Sequence, residues 1–379
     1  MKHAFVFIEV FGCEGGIQSY IQDVLSAYDQ LANKSGEQMS ADVFLLRDPE
    51  MDHPIKNGAL RYRYFKSDRA MTERVRLTVS LAAYLIRHRP DHVFCGHINL
   101  AAMVSQLCRL LKIPYTVLTY GKEVWYELPN REKQALAGAD RIWTISRYSR
   151  DLAHAANQVP TEKFDMLPCV VDGDVFTPGA PPDELIDRYR LQSARVLMTV
   201  ARLWAGDIYK GVDVTIRALP KITSAFPSVK YVVIGRGDDQ PRLAKLAEDL
   251  GVAEQVVFAG FVSDEALIDH YRMADVYVMP SKEGFGIVYL EAMACGVPVI
   301  AGDDDGSADP VQDGRVGWQV PHRDPEAVAA ACIEALSGED PRCDGAWLRQ
   351  ESLASFSAPA LVARLGVLLK TGCRASVAP

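Results

Sequence analysis

No stretch of the 379 residues approaches the roughly 18 to 20 consecutive apolar positions that a membrane-spanning helix needs, so any membrane contact is expected to be peripheral. The chain also lacks a CxxC pair or any zinc-like spacing. Its eight cysteines, at 13, 95, 108, 169, 295, 332, 343 and 373, read as separate small hydrophobes in a reducing cytosol. There is no excess of positive charge: 41 basic and 49 acidic side chains give a net charge of -8, which excludes a general binder of nucleic acid. Low-complexity tracts and short-period repeats are missing too, and 49% hydrophobic with 24% charged residues is ordinary globular composition. The opening Lys2-His3-Ala4-Phe5-Val6-Phe7-Ile8-Glu9-Val10 is interrupted by Glu9 and followed by no small-x-small cleavage site, so it reads as a buried first strand.

What the chain does contain is an alternation of short β-branched or aromatic runs with helical patterns. Two domains are expected from the length, and the pattern predicts an α/β class with parallel sheets. Strands are expected near 4–10, 42–47, 60–65, 92–96, 115–120, 141–146 and 163–167 in the first half. In the second half they are expected near 195–201, 230–235, 255–260, 276–280, 297–301 and 317–320. The turn-rich segment from Asp172 to Pro182 marks a linker. The expected division is 1–172, a Rossmann-like domain, then 173–350, a second Rossmann-like domain, then 351–379, a helix packing back on the first domain. Two doubly wound domains of this kind are expected to face each other across a cleft.

The most informative window runs from Met279 to Ile300 and reads strand, glycine turn, helix, glycine cap, strand. Gly284 and Gly286 allow backbone N–H groups to approach a ligand, and the start of the helix that follows, with Glu291 expected two turns into it, adds positive partial charge suited to a phosphate. Two acids beside such a site, Glu283 and Glu291, would repel a bare phosphate; sugar and ribose hydroxyls explain their presence. Taken singly, Glu283 reads better as a turn residue and Glu291 as a partly exposed helix residue.

Spaced as E-x7-E within this glycine pattern, the window resembles the signature of the GT4-type (group 1) retaining glycosyltransferases of GT-B fold. The resemblance extends over nearly the whole chain and implies that 1–172 is the acceptor domain and 173–350 the nucleotide-sugar donor domain. Arg202 and Lys210, in Arg202-Leu203-Trp204-Ala205-Gly206-Asp207-Ile208-Tyr209-Lys210-Gly211, look like the family's pair of cations that hold the donor diphosphate. A guanidinium fork and an ammonium suit a pyrophosphate and the charge that grows on it. Gly15 and Gly16, after the first strand, resemble the family's N-terminal phosphate loop and are not a GxGxxG dinucleotide fingerprint. Gly235 and Gly237 resemble the loop beside the nucleotide. Val262, with Phe261, lies where relatives contact the base, and Phe285 and Ile287 complete the donor loop.

In the first half, His97 closes a strand and opens a helix; the resemblance places it near the donor sugar's reacting centre. Tyr120, Lys122 and Glu123 fall on the acceptor side, with Tyr120 standing where relatives often carry His. Pro168-Cys169-Val170-Val171-Asp172 departs from the family's Pro-Asn-Gly-Val-Asp. Asp303-Asp304-Asp305 mimics a metal-binding DxD site but reads as a solvated loop, so no metal or other cofactor is expected. Residues 61–90 hold eight Lys or Arg (61, 63, 66, 69, 74, 76, 87, 89) against two acids. Two readings stand there: a face that approaches anionic membrane, or a solvated face on a helix whose core side is Val75, Val79, Leu81, Leu85 and Ile86.

The resemblance implies transfer of a glucose- or mannose-type hexose from a UDP- or GDP-sugar to a hydroxyl of a saccharide acceptor, a lipid-linked oligosaccharide or polysaccharide precursor. It implies retention at the anomeric carbon and a cytoplasmic enzyme, peripheral at the inner membrane face. The alternatives are a nucleotide-sugar epimerase on the same architecture and a nucleotide-sugar-binding protein without turnover.

Overall fold

The structure, a computed structural model, describes residues 1–13, 15–34, 39–50, 55 and 58–374, the last four without their side chains. The chain divides into two compact units, Met1–Val170 joined by Ala358–Pro379, and Val171–Ser357. In the first unit the order is β1 (Lys2–Phe7), α1 (Gly16–Lys34), β2 (Ser40–Leu45), β3 (Leu60–Tyr64), α2 (Ala70–His88), β4 (His92–Cys95) and α3 (Ile98–Leu111). It continues with β5 (Tyr115–Thr119), α4 (Asn130–Ala137), β6 (Arg141–Thr144), α5 (Arg147–Asn157) and β7 (Phe164–Met166). The second unit holds α6 (Asp183–Tyr189), β8 (Val196–Val200), α7 (Val212–Ala225), β9 (Lys230–Ile234), α8 (Gln240–Asp249), β10 (Val256–Gly260) and α9 (Asp264–Arg272). After these come β11 (Val276–Met279), α10 (Ile287–Ala294), β12 (Val299–Gly302), β13 (Trp318–Val320), α11 (Pro325–Ser337) and α12 (Gly345–Phe356). The final helix, α13 (Ala358–Arg374), returns to the first unit and packs on α1, where Gly366 meets Leu31.

Both sheets are parallel throughout. The first has seven strands in the order β3-β2-β1-β4-β5-β6-β7, the second six in the order β10-β9-β8-β11-β12-β13. Parallel strands need helical crossovers that bury both faces, so the central strands read as largely apolar runs, whereas the edge strand β3, Leu60-Arg61-Tyr62-Arg63-Tyr64, alternates. Ala4-Phe5-Val6-Phe7 in β1 and Tyr231-Val232-Val233-Ile234 in β9 are buried residue by residue. Every expected strand is present. The terminal 351–379 segment differs from expectation: α12 stays with the second unit and packs on α10, and the chain leaves that unit between Ser357 and Ala358. The outgoing and returning segments run side by side there, with Val171 N–H donating to Phe356 O at 2.8 Å.

Each sheet has one topological switch point, between β1 and β4 in the first unit and between β8 and β11 in the second. The loops that leave the carboxyl ends of these strands diverge to opposite faces and open a crevice, the usual ligand position in such sheets. No helix among the described residues is long and apolar enough to cross a membrane.

Candidate functional site

The four strands that flank the switch points carry the sequence motifs at their carboxyl ends. Gly15 and Gly16 follow β1 and open α1; His97 follows β4 and caps α3. Arg202 and Lys210 follow β8, and Glu283 follows β11.

In the second unit the 3-10 turn Ala205–Lys210 brings the Lys210 ammonium against the Glu283 carboxylate. Each side chain is only 17% exposed. Arg202 stands outward, with its Nε 3.1 Å from Asp207 Oδ2 and its guanidinium 4.9 Å from the centre of the Trp204 ring. Both cations of the motif therefore rest against an acid of the same unit, so a diphosphate would have to share or displace these acids.

The glycine loop that follows opens α10 at Gly286, whose φ of +88° puts it in the left-handed region. Gly286 offers no side-chain cap, so the first amides of α10 keep their donor capacity. Phe285 is a correction. Its side chain is buried and packs on Phe356, ring centres 5.7 Å apart, so only its main chain can serve a donor. Gly284 and Ile287 flank it in the same turn.

Glu291 lies one helical turn into α10, where the Tyr271 hydroxyl donates to its Oε2 at 2.6 Å. Part of the residue stays open to solvent, but protein packed around the carboxyl pushes its pKa up from 4.5 to about 7. Such a group alternates between acid and carboxylate near neutral pH. That makes it a hydroxyl acceptor whose strength depends on pH.

Gly235 and Gly237 have a local steric reason for being glycine. A Cβ on Gly235 would fall 1.8 Å from Ala201 O and one on Gly237 2.0 Å from Leu203 O. The loop after β9 must pass directly over the segment after β8, and Leu203 N–H donates to Arg236 O at 3.1 Å. Beside it Phe261 is exposed, with the Arg236 guanidinium 4.9 Å from its ring centre, and Val262 is half-buried.

In the first unit the His97 Nδ1 accepts the Asn99 N–H at 3.1 Å, which leaves Nε2 to carry the proton as an outward donor. Burial pulls the His97 pKa below its ordinary 6.5 against the opposing pull of Glu123, so the ring is neutral at physiological pH. Tyr120 departs from the acceptor-side expectation. It is 7% exposed, and its hydroxyl donates to Gly96 O at 2.6 Å, so the side chain is spent in holding the turn that carries His97. Glu123 accepts the N–H groups of Tyr120 and Gly121 and closes the same turn, while Lys122 is exposed. A Cβ on Gly16 would meet nothing within 4 Å, so the start of α1 is open to a ligand.

Several residues that organise these loops escape a reading of the sequence. Asp48, fully buried after β2, accepts N–H groups from Val10, Phe11 and Gly12 at 2.8, 2.6 and 2.7 Å and so braces the segment before Gly15. Asp303 and Asp304 are exposed, as a solvated loop requires, and Asp304 pairs with Lys282 at 3.2 Å. Asp305 is not solvated: it is 4% exposed, and burial raises its pKa from 3.8 to about 6 against the hydrogen bonds it accepts. Among the described residues no His, Cys, Asp and Glu cluster has the makings of a metal site.

On α2 the buried side is Leu77, Leu81, Tyr84 and Leu85, whereas Val75, Val79 and Ile86, expected in the core, are exposed together with Met71. At about 100° per residue these four form one stripe. Arg74 lies on one side of it and Arg76 and Arg87 on the other, all exposed. Arg63 is set apart from that surface, bound to Asp42 at 2.7 Å and stacked near Phe44 and Tyr84.

Comparison with known proteins assigns both halves. Residues 15–170 match the family model described as a glycosyl transferase 4-like domain, and residues 189–344 match glycosyl transferases group 1. The chain is 38% identical over 239 residues to the GDP-mannose-dependent alpha-(1-6)-phosphatidylinositol monomannoside mannosyltransferase of Mycolicibacterium smegmatis, over 59% of this chain and 60% of that one. It is 30% identical over 345 residues, 86% of each chain, to the GDP-mannose-dependent monoacylated alpha-(1-6)-phosphatidylinositol monomannoside mannosyltransferase of Corynebacterium glutamicum. Anabaena HepE, solved in complex with UDP, has the same fold, with a TM-score of 0.77 at 17% identity over 98% of this chain and 100% of its own.

Proposed function

Because the chain belongs to the group 1 glycosyltransferase family, on a GT-B fold of two parallel-sheet α/β domains, we propose that it transfers mannose from GDP-mannose to a hydroxyl of a mannosylated inositol-phosphate lipid. The observation that carries this reading is the meeting of Lys210 with Glu283 at the β8/β11 switch point, one group suited to a diphosphate and the other to a sugar. The donor and acceptor named for the Mycolicibacterium smegmatis and Corynebacterium glutamicum relatives support the finer identity proposed here.

In this reading Arg202 and Lys210 neutralise the diphosphate, assisted by the amides of Gly284, Gly286 and Ile287 and the open start of α1 at Gly15 and Gly16. Glu283 holds the sugar hydroxyls, His97 Nε2–H donates to the sugar beside the reacting carbon, and Glu291 accepts from the ribose. The loop at Gly235 and Gly237 with Val262 borders the base. The bond between the anomeric carbon and the diphosphate oxygen breaks while the acceptor oxygen bonds to the same carbon from the same face. The acceptor's proton passes to the leaving diphosphate oxygen, so configuration is retained without an enzyme nucleophile. The two cations then do the work that a divalent metal does in other transferases.

A lipid acceptor requires approach to a membrane, and α2 is suited to it. An exposed apolar stripe rimmed by arginines is the form of a helix that lies in a bilayer interface. Replacing Arg69, Arg74 and Arg76 together by glutamine is expected to weaken binding to vesicles rich in anionic phospholipid by on the order of a hundredfold, at about 1 kcal/mol per charge. Flotation of the triple variant at the wild-type level would leave α2 as a solvated face.

The donor is tested by thermal unfolding of the protein against GDP, UDP, ADP, CMP and NAD at matched concentrations. A ligand at 100 times its Kd adds about 2.7 kcal/mol of stability, and the largest shift is expected with GDP. A shift with NAD alone, or with no nucleotide, would contradict the reading.

A further inference from the structure

Glu283 is held from two directions by a segment far from it in sequence. Its backbone N–H donates to Asp305 Oδ2 at 2.6 Å, and its carbonyl accepts the Gly306 N–H at 2.8 Å. The other carboxylate oxygen, Asp305 Oδ1, accepts the Ser307 N–H at 2.8 Å and also meets the Ser307 hydroxyl, which lies 3.0 Å from Gly302 O. The two loops are pressed together so closely that a Cβ on Gly306 would fall 2.0 Å from Gly284 O. The loop after β12 thus grips both main-chain groups of the residue whose side chain reaches Lys210.

The chemistry of the grip is specific. A carboxylate accepts at both oxygens, and here both face N–H donors in a place that is almost closed to water. The neighbouring Asp304 makes only an exposed contact with Lys282. Of the Asp303-Asp304-Asp305 run, Asp305 is built into the loop that holds Glu283, whereas Asp303 and Asp304 are exposed.

We propose that Asp305 is a positioning residue for transfer: by fixing the Glu283 peptide it aims the Glu283 carboxylate at the donor sugar. This rests on the glycosyltransferase reading and on the sugar-binding role given there to Glu283. Asp305 touches neither substrate; it acts through Glu283.

Asp305→Asn tests it, because asparagine keeps the shape but sets an NH2 group against one of the two N–H donors. The expected result is a fall in kcat of tenfold or more with the sugar nucleotide, while the Kd for the nucleoside diphosphate alone stays within twofold of wild type. In a Glu283→Ala background the same substitution is expected to cost nothing further, since the group it aims is gone. Asp304→Asn is expected to leave both constants unchanged. If Asp305→Asn does not fold, Ser307→Ala, which leaves the Glu283 N–H contact in place, is expected to give a smaller loss of the same kind. Wild-type kcat in Asp305→Asn, equal loss of diphosphate affinity, or a full additional loss in the Glu283→Ala background would each overturn the proposal. Absence of transfer by the wild-type protein would instead overturn the reading beneath it.

Discussion

Lys210→Ala is expected to lower kcat by about a hundredfold or more, the usual cost of removing one preorganised group that stabilises developing charge. The argument begins with placement. Gly211, with φ +76°, ends the 3-10 turn and returns the chain into α7, which fixes Lys210 beside the loop after β11. There the ammonium meets Glu283, and neither side chain has much access to water. In the proposed transfer the charge of the departing diphosphate grows beside this ammonium, where low exposure keeps the interaction strong. Alanine removes that stabilisation and leaves the Glu283 carboxylate without its cation, so the variant site repels the group it is meant to release. Single-turnover rates at saturating donor read the effect, and Lys210→Arg is expected to restore part of it. An unchanged single-turnover rate in Lys210→Ala would remove the diphosphate assignment.

The second large effect is expected at Glu291, and it has two signs. The native carboxyl titrates near 7 and an unburied one near 4.5, so between these values the folded protein holds a proton that the unfolded chain has released. Stability from this group is fully present below 4.5 and is lost as pH rises through 7. Glu291→Gln, which cannot ionise and still accepts from Tyr271, is therefore expected to raise stability at pH 8 by about 3 kcal/mol and to change it little at pH 4. The same substitution is expected to weaken sugar-nucleotide binding tenfold or more, because a carboxylate accepts hydroxyl hydrogen bonds more strongly than an amide. Wild-type affinity is expected to rise between pH 6 and 8 with release of a proton on binding. Calorimetry in buffers of different ionisation enthalpy measures both. A pH-independent Kd, or a Glu291→Gln variant with wild-type affinity, would count against the ribose role.

Much of the fold is legible in the sequence for a simple reason: strands buried on both faces are mostly apolar and β-branched, and runs such as Val196-Leu197-Met198-Thr199-Val200 leave little choice of element. The motif residues were legible because turn, helix start and charge coincide within a few positions, as from Glu283 to Glu291. What sequence order hides is contact between distant loops. Asp305 looks like the third of three equivalent acids until the loops after β11 and β12 are seen to touch. The steric need for Gly235 and Gly237, set by the segment after β8 beneath them, is likewise invisible in sequence order. Tyr120 and α2 illustrate a second limit. Tyr120 has an apolar body and a polar tip that suit either a substrate or a carbonyl, and Gly96 O takes it. In α2 two apolar faces compete at helical spacing, and the one with Leu77, Leu81 and Leu85 meets the core, which turns Val75, Val79 and Ile86 outward.

The most direct measurement supplies the purified protein with GDP-mannose labelled in the sugar, together with vesicles containing a phosphatidylinositol mannoside, and follows the label and the released nucleotide. The account predicts label in the lipid in a new α-linked residue, one GDP released per mannose transferred, and no transfer without the acceptor. Free mannose, an epimerised sugar nucleotide formed without acceptor, or donor left intact in the presence of the lipid would contradict it.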